Sequence, residues 1–199
     1  MINFQKYKGN LIHDTAIIDW EHVTIGKGNK IYPYCNIGVD ASHSKQGSCG
    51  KVNIGNNNIF RENVNIQRPI ESSENKVTFI GDDNYFMSNV VIGHDCVLES
   101  NIVLGNNTTI CGHTYVMKHT TTGVGVSIHQ FQVIGSYSMI GLNSVIDRAH
   151  KVKPGLTFYG IPAKCIAKNT VGLERNKISD DILEFELDRY QKIYDKHFK

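Results

Sequence analysis

An apolar side chain returns at every sixth residue along most of this chain, and that period constrains the fold more than any other feature. Stepping by six from Ile80 meets Phe86, Ile92, Leu98, Leu104, Ile110, Val116, Thr122, Ile128, Ile134, Ile140, Ile146 and Val152. Twelve of these thirteen positions are apolar in a chain that is 40% hydrophobic. Neither the helix period of about 3.6 nor the strand period of about 2 produces such a repeat. The following residue is often glycine, as at Gly81, Gly93, Gly105, Gly123, Gly135 and Gly141. Two residues earlier the side chain is small or β-branched, as at Thr78, Val90, Cys96, Thr108, Thr114 and Thr120. The register extends backwards through Ile54, Phe60 and Ile66, through Ile25, Ile31 and Ile37, and to the pair Ile12 and Ile18.

A unit of six fits a short strand plus a corner, and three such sides close a triangular coil of eighteen residues. The aliphatic residue points inward, and glycine tolerates the unusual backbone angles of a corner. Stacked coils pair as parallel strands about 4.8 Å apart. The expected fold is therefore all-β, a parallel β-helix of about seven coils and roughly 34 Å. A sandwich of short strands would alternate and turn every 8–12 residues or so, with no fixed period. The β-helix is expected over residues 1–155, with polar loops leaving the repeat near 40–51 and 69–77. Residues 156–199 read as an irregular exit and a C-terminal helix. Ser179 is the expected N-cap, with Asp180 and Asp181 in the first turn. The expected apolar face is Ile182, Phe185, Leu187, Tyr190, Ile193 and Tyr194, packed on the barrel or on a neighbouring subunit.

Bulk properties exclude some classes. A net charge of +2 does not suggest a nucleic-acid binder. Five cysteines without a CxxC pair read as reduced thiols, hence a cytoplasmic protein. No stretch has the length of a membrane span, and MINFQKYKGN lacks the apolar run of a secretion signal.

The coil length decides which distant residues meet. Position n lies one strand spacing from n+18, so His94, Gly112 and Gln130 stack, as do Asp95 and His113, and Cys111 and His129. Polar groups scattered along the sequence thus converge on one edge. Three histidines near a carboxylate suit a metal site, a hydrogen-bonded corner cluster, or a catalytic site. In the catalytic reading His94 is the general base, oriented by a carboxylate, and Gly112 offers an N–H to an oxyanion. No activated serine is evident, so direct transfer is expected over a covalent enzyme intermediate.

The hexapeptides "IGHDCV", "LGNNTT" and "IGSYSM" resemble those of left-handed β-helix acyltransferases. Within these, "GHDC", "ICGHTYV", "SIHQF", "VIGSYSMIG" and "VGLER" resemble the acyl-ACP–UDP-N-acetylglucosamine O-acyltransferases of lipid A synthesis, from about Leu11 to Ser179. The resemblance implies a left-handed coil and a homotrimer with active sites between neighbouring prisms. It implies His94 as base, Asp95 as its support and Gly112 as oxyanion donor. His113, His129 and Gln130 would line the acceptor and donor pockets, and Lys45 would serve the neighbouring subunit's site. Asn169 and Arg175 would grip the nucleotide. The chain departs from the family at several positions. Val91 replaces its second histidine, Gln67 the histidine before Arg68, and Val171 lies where a glutamate is missing. The helical C-terminus is shorter than usual. Leu142 stands at the acyl-chain ruler, a glycine in long-chain enzymes, and would shorten the chain that fits.

These departures give a leading expectation of N-acylation of a nucleotide-linked amino sugar for a surface polysaccharide. The donor would be a short acyl-CoA or acyl carrier protein thioester, with no tightly bound cofactor and no metal. The alternative is UDP-N-acetylglucosamine 3-O-acyl transfer in lipid A synthesis. Rivals of other classes are a zinc-dependent hydratase and a non-catalytic scaffold.

Overall fold

The period is realised as strands of mostly two residues joined by tight corners. A computed structural model describes residues 3–197. The strands lie in three sheets, of ten, seven and six strands, which form the faces of a left-handed prism. We call them faces A, B and C, since the chain visits them in that order within each coil. On face B, Val91 pairs with Thr109, Thr109 with Ser127 and Ser127 with Val145, all in parallel. The register is thus the eighteen-residue coil read from the sequence. Face A is closed at each end by an antiparallel pair, Phe4–Tyr7 with Asn10–His13 and Leu156–Tyr159 with Lys164–Lys168. Phe158 still stacks on Ile140, so the column runs past residue 155. The terminal pairs cover coil edges that would otherwise recruit another strand.

Of each two-residue strand, the second side chain points inward. Ile92, Ile110, Ile128 and Ile146 form one fully buried column. The small residues two places earlier line the inner corners. There Thr114 and Thr120 donate their hydroxyls to the carbonyls of Cys111 and Met117, each at 2.8 Å. This satisfies buried polar groups that the narrow strands leave over.

Thr122 alone breaks the apolar column. Its Oγ1 accepts from Gly105 N at 3.0 Å and meets Thr108 Oγ1 at 3.0 Å. Thr122→Val restores the apolar pattern but orphans the Gly105 N–H. It is expected to lower unfolding free energy by about 1–3 kcal/mol in denaturant titration. Equal or greater stability would refute that assignment.

Two expectations need correction. Few corners turn on glycine: Gly28, Gly125 and Gly155 hold the left-handed position, with φ of 75°, 72° and 71°, but most corners use other residues. The left-handed residue is the third after each aliphatic one: Asp83, Asn89, Asp95, Asn101, Asn107, His113, His119, Phe131, Tyr137 and Asn143 all have φ of 52–63°. Asn and Asp tolerate this region through short side chains that bond locally. The repeat glycines instead allow close coil stacking, since a Cβ at Gly105 would lie 2.4 Å from Gly123 O.

The second correction concerns the C-terminal helix. A short helix α1 (Thr170–Arg175) precedes α2 (Asp180–His197), and Ser179 O caps α2 by accepting from Leu183 N at 3.0 Å. α2 lies on face C of its own prism, where Tyr190, Ile193 and Tyr194 pack against Tyr115, Met117 and Val133. Ile182, Phe185 and Leu187 are exposed instead, Phe185 by 64%. Glu186 takes their place in the interface, because Lys118 and Ser136 meet its carboxylate at 2.7 and 2.9 Å. Specific polar partners override apolar periodicity here.

Candidate functional site

The corner between faces B and C carries the stacked histidines. The His94 ring rests directly on Gly112: a Cβ there would lie 2.5 Å from His94 Cε1 and 2.6 Å from Nε2. Gly93 clears the adjacent space, since its Cβ would lie 2.8 Å from Gly112 N. Cys111 N and His113 N, on either side, donate to Ile128 O and His94 O at 3.0 and 2.9 Å. The corner therefore holds the His94 ring and the Gly112 backbone together.

Asp95 organises this corner. Its Oδ2 lies 2.8 Å from His94 Nδ1 and 3.8 Å from His113 Nε2, and accepts from Ile70 N at 3.2 Å. Its own N–H donates to Thr78 Oγ1 at 3.0 Å. Burial opposes the charge on Asp95, but bonds from His94, Ser73 and Ile70 outweigh it and hold the carboxyl below its usual range. An ionised Asp95 can only accept, so Nδ1 of His94 is the donor in this pair, and Nε2 is the ring nitrogen turned away from the carboxylate. For His113 burial prevails over the attraction of Asp95, and its pKa is pushed down. Its ring stacks on Phe131 at 4.5 Å and meets His94 edge-on at 5.0 Å.

Chemically, this is an imidazole oriented by a carboxylate beside a glycine backbone. The nearby thiols are poor nucleophiles: burial pushes Cys96 up to about 12 and raises Cys111. His94, Asp95 and His113 are also a set that could hold a metal ion, with ligand atoms within 4.8 Å of one another. Nδ1 of His94, however, is engaged with Asp95 at hydrogen-bond distance. Asp19, Glu21 and His22 form a second such set at the far end of the column, beside the Arg68 guanidinium.

The two polar loops do not simply leave the repeat. They bridge through Ser48 and Ile70 and return to this corner. Ile70 and Ser73 reach Asp95, and the His43 ring sits 5.9 Å from His94. Sequence reasoning missed His43, Ser73 and Ile70. A histidine two residues before Lys45 in a polar loop was the available signal.

Residues 78–112 match the bacterial transferase hexapeptide family (six repeats). The chain is 34% identical over 171 residues to the acyl-[acyl-carrier-protein]–UDP-N-acetylglucosamine O-acyltransferase of Synechocystis sp., covering 85% of this chain and 60% of that protein. The chain belongs to the bacterial hexapeptide-repeat transferases. A UDP-N-acetylglucosamine acyltransferase from Bacteroides fragilis superposes with a TM-score of 0.81 at 29% identity, over 94% of this chain and 71% of that one. GDP-perosamine N-acetyltransferase from Caulobacter crescentus, at 19% identity and a TM-score of 0.52, shares the fold alone. The chain spans about 60% of the length of the curated relative from Synechocystis.

Against this hexapeptide-repeat frame, one prism does not gather every expected site residue. His94, Asp95, Gly112 and His113 converge, and exposed His129 and Gln130 continue the same edge one coil on. Leu142, 54% exposed, lies on the corner between faces A and B. Asn169 lies by the corner between C and A, donating to Tyr137 O at 2.8 Å and accepting from Gly172 N at 3.1 Å as the N-cap of α1. Arg175 ends α1, exposed, and Lys45 is exposed in the first loop. Among the described residues, no helix is long and apolar enough to cross a membrane.

Proposed function

We propose that this chain is an acyltransferase acting on a UDP-linked amino sugar of the UDP-N-acetylglucosamine kind, with an acyl carrier protein thioester as donor. The observation that carries the reading is His94, bonded to Asp95 and seated on Gly112. The relatives' names favour transfer to a sugar hydroxyl over the N-acylation expected from the sequence. In the reaction the acceptor O–H loses its proton to His94 Nε2 as its oxygen attacks the thioester carbonyl carbon. Gly112 N–H stabilises the tetrahedral oxyanion. Collapse breaks the C–S bond, and the proton passes from His94 to the leaving thiolate.

Candidate residues on three different edges come together only if copies of the chain pack side by side. This supports a homotrimer whose sites combine His94, Asp95, Gly112, His113, His129 and Gln130 of one copy with Lys45, Leu142, Asn169 and Arg175 of its neighbours. We place the reaction in the cytoplasm, where the thioester donor is made.

The test is acyl transfer to UDP-N-acetylglucosamine from carrier-protein thioesters of graded chain length, with the product's linkage read by mass spectrometry and NMR. An amide product would restore the N-acylation reading. Leu142 projects into solvent, and in a groove between copies it would block a long chain. Leu142→Gly is expected to raise the long-chain to short-chain ratio of kcat/KM by about tenfold or more. An unchanged ratio would remove Leu142 from the acyl groove.

A further inference from the structure

The end of α2 reaches the candidate catalytic corner. The helix crosses face C obliquely, starting from the corner between C and A. There Glu186, fully buried, is gripped by Lys118 at 2.7 Å, Ser136 at 2.9 Å and Arg189 at 3.2 Å. Arg189 also reaches Glu99, with Nη1 at 3.0 Å from Oε2. Glu99 in turn accepts from Tyr115 Oη at 2.7 Å and Lys118 N at 2.9 Å. One turn on, Tyr190 is buried against Met117 and Val133. A further turn on, Tyr194 takes the Lys151 ammonium over its ring at 4.9 Å. At the far end, half-buried His197 hydrogen-bonds the backbone of His113. His113 faces Asp95, His94 and His43 as well as His197. The helix is therefore pinned along its length in a way that sets where its last turn falls.

We infer that α2 clamps the corner and that His197 is a positioning residue, holding His113 against Asp95 and so steadying His94 for transfer. This rests on the acyl-transfer reading of that corner. His197 touches the backbone that carries His113, not the reacting atoms, so it acts through its neighbour. A buried charge network is a costly way to fasten a helix, and removing one partner leaves an uncompensated charge. It does, however, fix the helix's rotation and register, which an apolar seam alone leaves looser. Register is what aims His197 at His113.

The experiment compares His197→Ala, which removes the ring, with His197→Gln, which keeps a side-chain N–H of similar reach. Both lie in the last turn, beyond the Glu186 and Tyr190 anchors, and should leave the melting temperature unchanged. His197→Ala is expected to lower kcat for acyl transfer about tenfold with little change in KM, and His197→Gln to recover most of it. The His113 ring resonances in NMR spectra of substrate-free protein should move in the alanine variant and return in the glutamine variant. Unmoved resonances would overturn the inference whatever the activity, as would moved resonances with kcat within about twofold of wild type. Wild-type protein that transfers no acyl group would fail the functional reading itself, with the His113 resonances then deciding whether the clamp exists.

Discussion

His94→Ala is expected to lower kcat/KM for transfer to a sugar hydroxyl by about a thousandfold, with the melting temperature nearly unchanged. A hydroxyl is a weak nucleophile until its proton is removed, so the loss should fall on kcat. The variant should fold because the corner is held by backbone bonds, including His113 N to His94 O at 2.9 Å, which survive loss of the ring. The pH dependence has a defined sign on the Asp95 side. Its carboxyl lies below the ordinary carboxylate value, because donated bonds outweigh the cost of burial. The Asp95 contribution to stability and orientation is present above the unfolded value and is lost as pH falls through the folded one. An amine acceptor would demand less of the base, so substantial residual activity would point to N-acylation. Full activity would remove His94 from the base role altogether.

How far the site could be read in advance followed from the period. Once the coil was eighteen residues, His94 over Gly112 and Asp95 beside His113 were fixed by counting, and the strand registers agree. Counting could not assign the corner conformations. Glycine is the residue most tolerant of a left-handed turn and takes it at Gly28, Gly125 and Gly155, yet Asn, Asp, His and even Phe131 and Tyr137 hold most such positions, and the glycines that follow the aliphatic residues serve close stacking. Asp95 and His113 are themselves left-handed corner residues, with φ of 61° and 57°, so chemistry and turn share the same positions. The loops lay outside the period. Nothing in the repeat says that Ile70 N–H and the His43 ring return to the corner, because that depends on long-range bridging between the loops. The apolar face of α2 failed for a related reason. A carboxylate at position 186 reads as solvent-facing until Lys118, Ser136 and Arg189 are known to surround it.

Gly112→Ala tests the same geometry with a single methyl group. The new Cβ would lie 2.5 Å from His94 Cε1 and 2.9 Å from Nδ1, closer than atoms can approach, so the ring must swing away. Doing so breaks its 2.8 Å bond to Asp95 and crowds the space in front of the Gly112 N–H. Base orientation and oxyanion donation are both impaired, and kcat/KM is expected to fall by about 10²–10³. Stability should change little, because the backbone at Gly112 is not left-handed and the clash is with a side chain that can rotate rather than with backbone. Gly93→Ala differs in kind. Its Cβ would meet the backbone of the next coil, at 2.8 Å from Gly112 N and 3.0 Å from Ile110 O, so it should destabilise the column itself. The decisive measurement is the double variant His94→Ala with Gly112→Ala. If the methyl acts mainly by displacing the ring, its cost is largely absent once the ring is gone, and the double variant should be far less impaired than the product of the two single losses. A multiplicative loss would mean that Gly112 contributes independently of His94, with the N–H rather than the space as its whole role.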